Sequence, residues 1–390
     1  VWLDKNDKVN IISSPGLISS SFTWETVKTV NFGVDVTALK SRLQLTFDMY
    51  RRRTNGMLAA GIEIPNVVGA TAPLQNVADL TSNGWELNLT WRDRIGDFAY
   101  NVGFNIYDNT AKIKKYNNES GLLSDYYVGQ KLGEIWGYVS DGYYTINDFV
   151  ADDAKRGVWT LKEGVTSIQG YKVQPGDEKF KDLDGNGVIN SGAGTLEDPG
   201  DRKIIGNNRA RYQFGANFGA SYKGFSIDVR LQGVGKRDYW LSGSSIFPFA
   251  GVGSSDAVFQ PLFYNQTDYW QAKSYDPESA DYMVPKNPNA KLFRIYGQGN
   301  NVGSNTRVSD KYLQNAAYLR VKNITLGYTL PRTWVKRVLM EQARIYVSVE
   351  NLATLSDLPK GYDPEGNTSN SIVWDYPYYR TISVGANITF

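Results

Sequence analysis

The 390-residue chain contains no cysteine and no histidine. Without cysteine there can be no disulfide, thiolate nucleophile or zinc–thiolate centre. Without histidine the usual general base and the commonest transition-metal ligand are missing too. Excess charge is scarce: 42 Lys and Arg stand against 40 Asp and Glu, a formal +2, too balanced for a nucleic-acid surface or an acidic tail. No run of about eighteen apolar residues occurs, which excludes a transmembrane helix. That absence says nothing of a membrane β-barrel, whose signal per strand is far weaker. The opening VWLDKNDKV has neither the basic nor the apolar region of a leader.

What is abundant points one way. The 26 Tyr, 10 Trp, 16 Phe and 38 Gly favour an all-β protein with many turns. The last eleven residues, RTISVGANITF, alternate without exception. Ile382, Val384, Ala386, Ile388 and Phe390 share one face, and Thr381, Ser383, Gly385, Asn387 and Thr389 the other. Such a strand suits either a soluble β-sandwich or the wall of an outer-membrane barrel.

Eight further segments carry the same period: 26–36, 42–50, 85–92, 98–106, 212–222, 225–232, 319–330 and 344–351. In 319–330 the phase slips near Lys322 and Asn323, the mark of a bulge. Short turns (38–41, 94–97, 223–224, 331–342) alternate with long connections (53–82, 113–210, 234–316, 353–379). Structureless loops beyond about fifteen residues are uncommon in soluble domains. Transmembrane barrels have this asymmetry, with short periplasmic turns and long extracellular loops. Eleven residues at about 3.3 Å each, tilted about 40°, span roughly 28 Å, enough for an apolar band about 25 Å tall. Trp85, Trp91, Phe98, Phe104, Tyr212 and Tyr222 fall near strand ends, where aromatic girdles belong.

The expected fold is therefore an all-β transmembrane antiparallel barrel with long extracellular loops. Asn217, Asp228, Arg230 and Gln232 are its candidate lumen residues. Nine strands are odd, whereas single-chain bacterial barrels have even numbers and both ends on the periplasmic side. Residues 1–390 are thus expected to be the C-terminal part of a larger barrel.

Several segments carry a resemblance. WETVKTVNFGVD (24–35), RRRTNGML (51–58), NVADLTSNGWELNLTWR (76–92), GEIWGYVSDG (133–142), FKDLDGNGVIN (180–190), LRVKNITLGYTLP (319–331), IYVSVENLATLS (345–356) and YPYYRTISVGANITF (376–390) resemble, in order, the SusC/RagA family of TonB-dependent transporters of Bacteroidetes. The resemblance implies a twenty-two-stranded outer-membrane barrel with an N-terminal plug, so that about thirteen strands and the plug would precede this chain. It also implies import of oligosaccharides or oligopeptides driven through the TonB complex, and a SusD-like surface lipoprotein as partner.

Two groups of residues could hold ligands. Asp182, Asp184, Asn186, Val188 through its carbonyl, and Asn190 follow the spacing of an EF-hand-like calcium loop, with Gly187 at the sharp turn. The twelfth position holds Ala193 rather than a carboxylate. Relative to the family's pattern an inserted SGAGTLEDPG displaces the expected Asp-Arg pair to Asp201-Arg202, with Glu197 and Asp198 as other candidates. The plain alternative is an Asx- and Gly-rich turn that binds nothing. Aromatic residues of the long loops, Trp240, Tyr264, Tyr269, Trp270, Trp374, Tyr376, Tyr378 and Tyr379, could stack on sugars or peptides. They could equally pack against one another or against a lid protein. Asp152-Asp153 and Asp182/Asp184 are the densest acidic groups, both in turn-like contexts, so carboxylate hydrolysis has little support. No nucleotide-binding pattern occurs, and no enzyme is expected. Two rival readings remain open at this point: a secreted carbohydrate-binding β module, and a SusC-like barrel with a structural or secretion-associated role.

Overall fold

The computed structural model describes residues 17, 19, 22–60, 73–155, 157–249, 261–295, 302–366 and 378–390. In chain order its strands are β1 (Thr26–Ala38), β2 (Leu43–Ala60), β3 (Leu74–Ile95), β4 (Phe98–Lys115), the short β5 (Glu134–Tyr138), β6 (Ser140–Tyr143), β7 (Glu178–Phe180) and β8 (Arg202–Asn207). Then follow β9 (Arg211–Tyr222), β10 (Phe225–Lys236), the two-residue β11 (Asp238–Tyr239) and β12 (Gln314–Asn315), β13 (Tyr318–Thr329), β14 (Gln342–Ser356) and β15 (Thr381–Thr389). Helix is confined to short pieces, among them α1 (Ala151–Lys155), α2 (Val302–Asn305) and α3 (Arg332–Val335).

Nine long strands form one sheet in the order β1-β2-β3-β4-β9-β10-β13-β14-β15. These are the nine expected from alternation, and each neighbours the next long strand along the chain. The turns at 39–42, 96–97, 223–224 and 330–341 are short, as the sequence pattern requires. At 223–224 both Lys223 and Gly224 have positive φ, 45° and 89°. That is the primed geometry whose twist matches a tight hairpin, and glycine takes the second position without strain.

Register explains what the two faces are for. Val102, Phe218, Val229, Ile324, Val349 and Ile382 lie opposite one another across six consecutive strands. One residue away, Gly103, Asn217, Arg230, Asn323, Glu350 and Thr381 form an equally continuous polar row. The apolar row is not a core: Phe218 is 40% exposed and Ile382 67%. A sandwich would bury that face under a second sheet about 10 Å away, and among the described residues no second sheet of comparable size exists. The uncovered apolar face is the one a bilayer would cover.

On the polar face, glycines receive side chains from across the ladder. A Cβ at Gly103 would collide with the Asn217 amide, one at Gly215 with Asn105, and one at Gly219 with Asn101. The amides occupy the space over these glycines, beside a hollow of about 500 Å³ lined by Asn101, Asn105, Asn217, Asp228 and Arg230. The expected lumen residues Asn217, Asp228 and Arg230 therefore come together in one place. The expected bulge is also present: pairing of β13 with both neighbours shifts between Val321 and Asn323, leaving Lys322 unmatched.

Several strands run farther than their alternation. β2 continues to Ala60, β3 starts at Leu74, β4 reaches Lys115 and β14 reaches Ser356. The added stretches include RRRTNG, NVADLTSNG and AKIKK, in which polar residues break the clean alternation and Ile113 is the buried exception. A strand that leaves hydrocarbon for water keeps its ladder hydrogen bonds but no longer needs an apolar side.

The chain divides into two compact units. The smaller comprises residues 1–32, 49–84 and 109–132; in it the Asn76 amide donates to the carbonyls of Thr23 and Gly56 and accepts from Thr23 N. The larger comprises 33–48, 85–108 and 133–390 and holds all the rows described above.

A charge on the apolar row should cost far more than one on the polar row. Ile324→Arg is expected to lower unfolding stability in lipid vesicles by about 2–4 kcal/mol. Ser383→Lys should stay within about 0.5 kcal/mol, both read from urea titrations.

Candidate functional site

Two of the long connections carry buried cores of their own among the described residues. In residues 116–201, β6 pairs with β7, and Tyr144, Phe149, Ile168, Phe180 and Ile189 close over one another with almost no exposed surface. In residues 237–317, Phe247, Phe293 and Tyr312 stack edge and face at 5.1–6.2 Å, inside a cluster that includes Leu241 and Leu358. The two connections are joined by backbone pairing of Tyr138 with Ser309 and by Asn305. The Asn305 side chain accepts from Glu178 N at 2.6 Å and donates to Asp177 at 2.7 Å.

Glu178 stands at that junction and is 1% exposed. Neither of its carboxyl oxygens completes a hydrogen bond among the described residues. Burial pushes its pKa up to about 8, against the opposing pull of Ser309, Ser140 and Lys311. It is therefore a neutral acid at pH 7. Nearby, the Tyr143 hydroxyl donates to the Ala290 carbonyl at 3.1 Å and meets Tyr312 at 3.4 Å. Burial raises both phenols above the ordinary tyrosine range. The Lys311 ammonium lies 4.3 Å from the Tyr143 ring centre, and desolvation lowers its pKa. Nothing in the spacing of the sequence marks Glu178, because the partner that holds it lies 127 residues away.

The acidic loop is a run of tight turns held by its own side chains. Asp182 accepts from Gly185 N and Gly187 N at 2.7 and 2.8 Å, bonds that hold its carboxyl below the usual range. Asp201 is fully buried and accepts from Leu183 N and Asn190 N, which folds it back over the loop. Carboxylate oxygens of Asp182, Asp184 and Asp201 then lie within 4.8 Å of one another. No Lys or Arg pairs with any of the three among the described residues. Asn186 and Asn190 turn inward to local bonds: Asn186 Nδ2 donates to Asp184, and Asn190 Nδ2 to the Val188 carbonyl. Of the other candidates, Asp198 caps the inserted segment through Ala193 N at 2.7 Å, and Glu197 lies outside the carboxylate group.

The loop aromatics separate by burial. Trp270 is 1% exposed among Ala272, Met283 and Ala290, so it has no face to offer a ligand and holds the loop together instead. Trp240 and Tyr269 are half-buried against the Phe247 cluster. Trp374 and Tyr376 lie outside the described residues. Tyr264 is 83% exposed and stands at a hollow of about 920 Å³, whose lining includes Phe263, Asp268, Lys291, Lys311 and Tyr312. Its size falls within the ~300–1,000 Å³ of small-molecule sites, and its walls mix aromatic faces with charges of both signs. The loop 357–366 is tied down by Arg320 of β13, which is buried and reaches Asp363 at 2.6 Å and Glu365 at 3.1 Å.

A wall with one apolar and one polar face, short turns at one end and folded loops at the other can be compared with known proteins. The sequence is 27% identical to TonB-dependent receptor P3 of Formosa agariphila over 410 residues, covering 99% of this chain and 36% of that protein. It is 26% identical to TonB-dependent receptor SusC of Bacteroides thetaiotaomicron, covering 97% of this chain and 33% of that protein. Along nearly its whole length the chain is thus similar to TonB-dependent receptors, SusC among them. It spans about a third of the length of the curated relatives it matches. No protein-family model matches it. The fold is similar to part of the RagAB peptide importer in its closed-closed state, at a TM-score of 0.62 and 22% identity over 95% of this chain and 36% of that one. TonB-dependent receptors are outer-membrane β-barrels; in such a wall the apolar rows face lipid, and long connections lie on the exterior side.

Glu178 makes the loop junction sensitive to pH. Folded, it keeps its proton to about pH 8, whereas an unfolded glutamate loses it near pH 4.5. Between those values the folded loops bind the extra proton, so their stability falls as pH rises through the window. Hydrogen exchange of residues 138–144, corrected for intrinsic rates, should show protection declining from pH 5 to pH 8. In Glu178→Gln that decline should be absent.

Proposed function

We propose that the receptor containing this chain imports oligosaccharides or oligopeptides across the outer membrane, powered through TonB and capped by a SusD-like surface lipoprotein. The observation that carries this reading is the likeness along nearly the whole chain to TonB-dependent receptors, SusC among them. The RagAB neighbour is titled a peptide importer. The polar, amide-lined inner face and the hollow beside Tyr264 suit a hydrated, many-hydroxyl or many-amide cargo better than an apolar one. Rows of relatives named as receptors also favour transport over hydrolysis.

Deleting the gene should abolish growth on one class of oligosaccharide or peptide as sole nutrient, and a TonB-defective strain should share the defect. Pull-down from outer membranes should return a surface lipoprotein. A deletion strain that grows normally on all such nutrients but loses a secreted or surface-assembled product would favour the structural or secretion-associated alternative.

We also propose that Asp182, Asp184 and Asp201 hold a structural calcium ion, with Asn186, Asn190 and the Val188 carbonyl as further oxygen donors on rearrangement of their local bonds. Three carboxylates this close repel one another, and no basic side chain offsets them, so a hard, oxygen-seeking cation suits the set. Its role would be to stiffen the 116–201 connection. Millimolar calcium should raise the thermal transition of the purified receptor, and EDTA should reverse the rise. Asp201→Asn should remove most of it. An unchanged transition on chelation would leave a plain Asx-rich turn.

A further inference from the structure

The lipid-facing wall is not uniformly convex. Near the short-turn end a groove of about 520 Å³ runs over β9, β10, β13, β14 and β15, lined almost wholly by apolar atoms. Its floor follows the row Ala220, Ile227, Leu326, Val347 and Val384, partners in register across five strands. Ala220 is the smallest side chain of that row and lines the groove. At the turn end Tyr222, Phe225 and Tyr328 form a raised rim, with the Phe225 and Tyr328 rings 4.5 Å apart.

Charge gathers beyond that rim. The Lys223 ammonium lies 5.3 Å over the Tyr222 ring, at the groove's end. In the 331–341 turn, Arg332, Lys336 and Arg337 are exposed, against one acidic residue, Glu341. None of these four basic side chains pairs with a carboxylate among the described residues. The same turn exposes Trp334, Val338 and Leu339, the last at 87%. Apolar and basic side chains displayed together at the edge of a lipid-facing wall are the chemistry of a membrane interface.

We propose that this groove holds an acyl chain of an anionic glycerophospholipid of the periplasmic leaflet, with its phosphate held by Lys223 and the basic residues of the 331–341 turn. The groove is continuous with the lipid-facing wall, so a lipid chain is the molecule that meets it in place. The unpaired positive charge at one end selects an anionic headgroup over a zwitterionic one. Trp334, Val338 and Leu339 would sit among neighbouring headgroups and fix the turn at that depth. This inference depends on the outer-membrane placement and not on the cargo, so it stands or falls separately from the import reading.

The test uses the full-length receptor, purified in mild detergent, stripped of lipid and examined by native mass spectrometry. Phosphatidylglycerol and phosphatidylcholine with matched chains serve as probes. The native receptor is expected to retain phosphatidylglycerol roughly tenfold more tightly than phosphatidylcholine, given the attraction of basic side chains for anionic lipid. Ala220→Trp should fill the groove and reduce retention of both lipids. A Lys223→Ser, Lys336→Ser, Arg337→Ser triple variant should lose the preference while keeping weak retention of both. The triple changes only turn residues, so it reports even if Ala220→Trp fails to fold. Equal retention of the two lipids by the native receptor, or a preference surviving in the triple variant, would overturn the proposal.

Discussion

Hydrocarbon offers a peptide group no hydrogen bond, and the rest of this structure follows from that constraint. Each unsatisfied backbone group in a bilayer costs several kcal/mol, so a chain crossing without long apolar helices must cross as paired strands. Pairing fixes register, and register fixes faces. Val102, Phe218, Val229, Ile324, Val349 and Ile382 fall in one row because the ladder puts them there. Asn217, Arg230 and Asn323 fall in the next row for the same reason. The amides of Asn101, Asn105 and Asn217, laid over facing glycines, keep the inner surface polar without filling it.

The two ends of the strands answer to different solvents. At the short-turn end the chain reverses in as few as two residues, at Lys223 and Gly224. Aromatic rings and basic side chains collect there, where hydrocarbon gives way to phosphate. At the other end the strands rise beyond the apolar zone and lead into connections long enough to bury cores around Phe180 and Phe247. Burial inside those connections makes Glu178 a neutral acid and keeps the Tyr143 and Tyr312 phenols protonated. The Arg320 network clamps the 357–366 loop to the wall. Two of the long connections are therefore packed around cores of their own rather than left as open loops.

Much of this was legible in the sequence, for a physical reason. A strand with lipid on one side and water on the other must alternate, and alternation is visible without any tertiary knowledge. All nine long strands, the short turns and the bulge at Lys322 could be read that way. The upper reaches of β2, β3 and β4 could not, since polar residues there interrupt the alternation. The acidic loop was legible because its ligand-like spacing is local, and Asp201 was reachable only by supposing an insertion. Glu178, Lys311 and Arg320 carried no local signal, because contacts from distant segments give each its environment. Trp270 misled for the same reason: an aromatic in a loop looks available until the loop is seen to have a core.

The central claim is that one face of this sheet meets lipid and the other meets water. This chain has no cysteine, so once any cysteine elsewhere in the full-length receptor is replaced by serine, single cysteines placed in turn at residues 225–232 of β10 can each carry a spin label in bilayers. Collisions with oxygen should peak at 225, 227, 229 and 231. Collisions with a water-soluble nickel chelate should peak at 226, 228, 230 and 232, with a period of two. A profile without that period, or one with both reagents excluded from the 225, 227, 229, 231 set as in a buried protein core, would contradict the account.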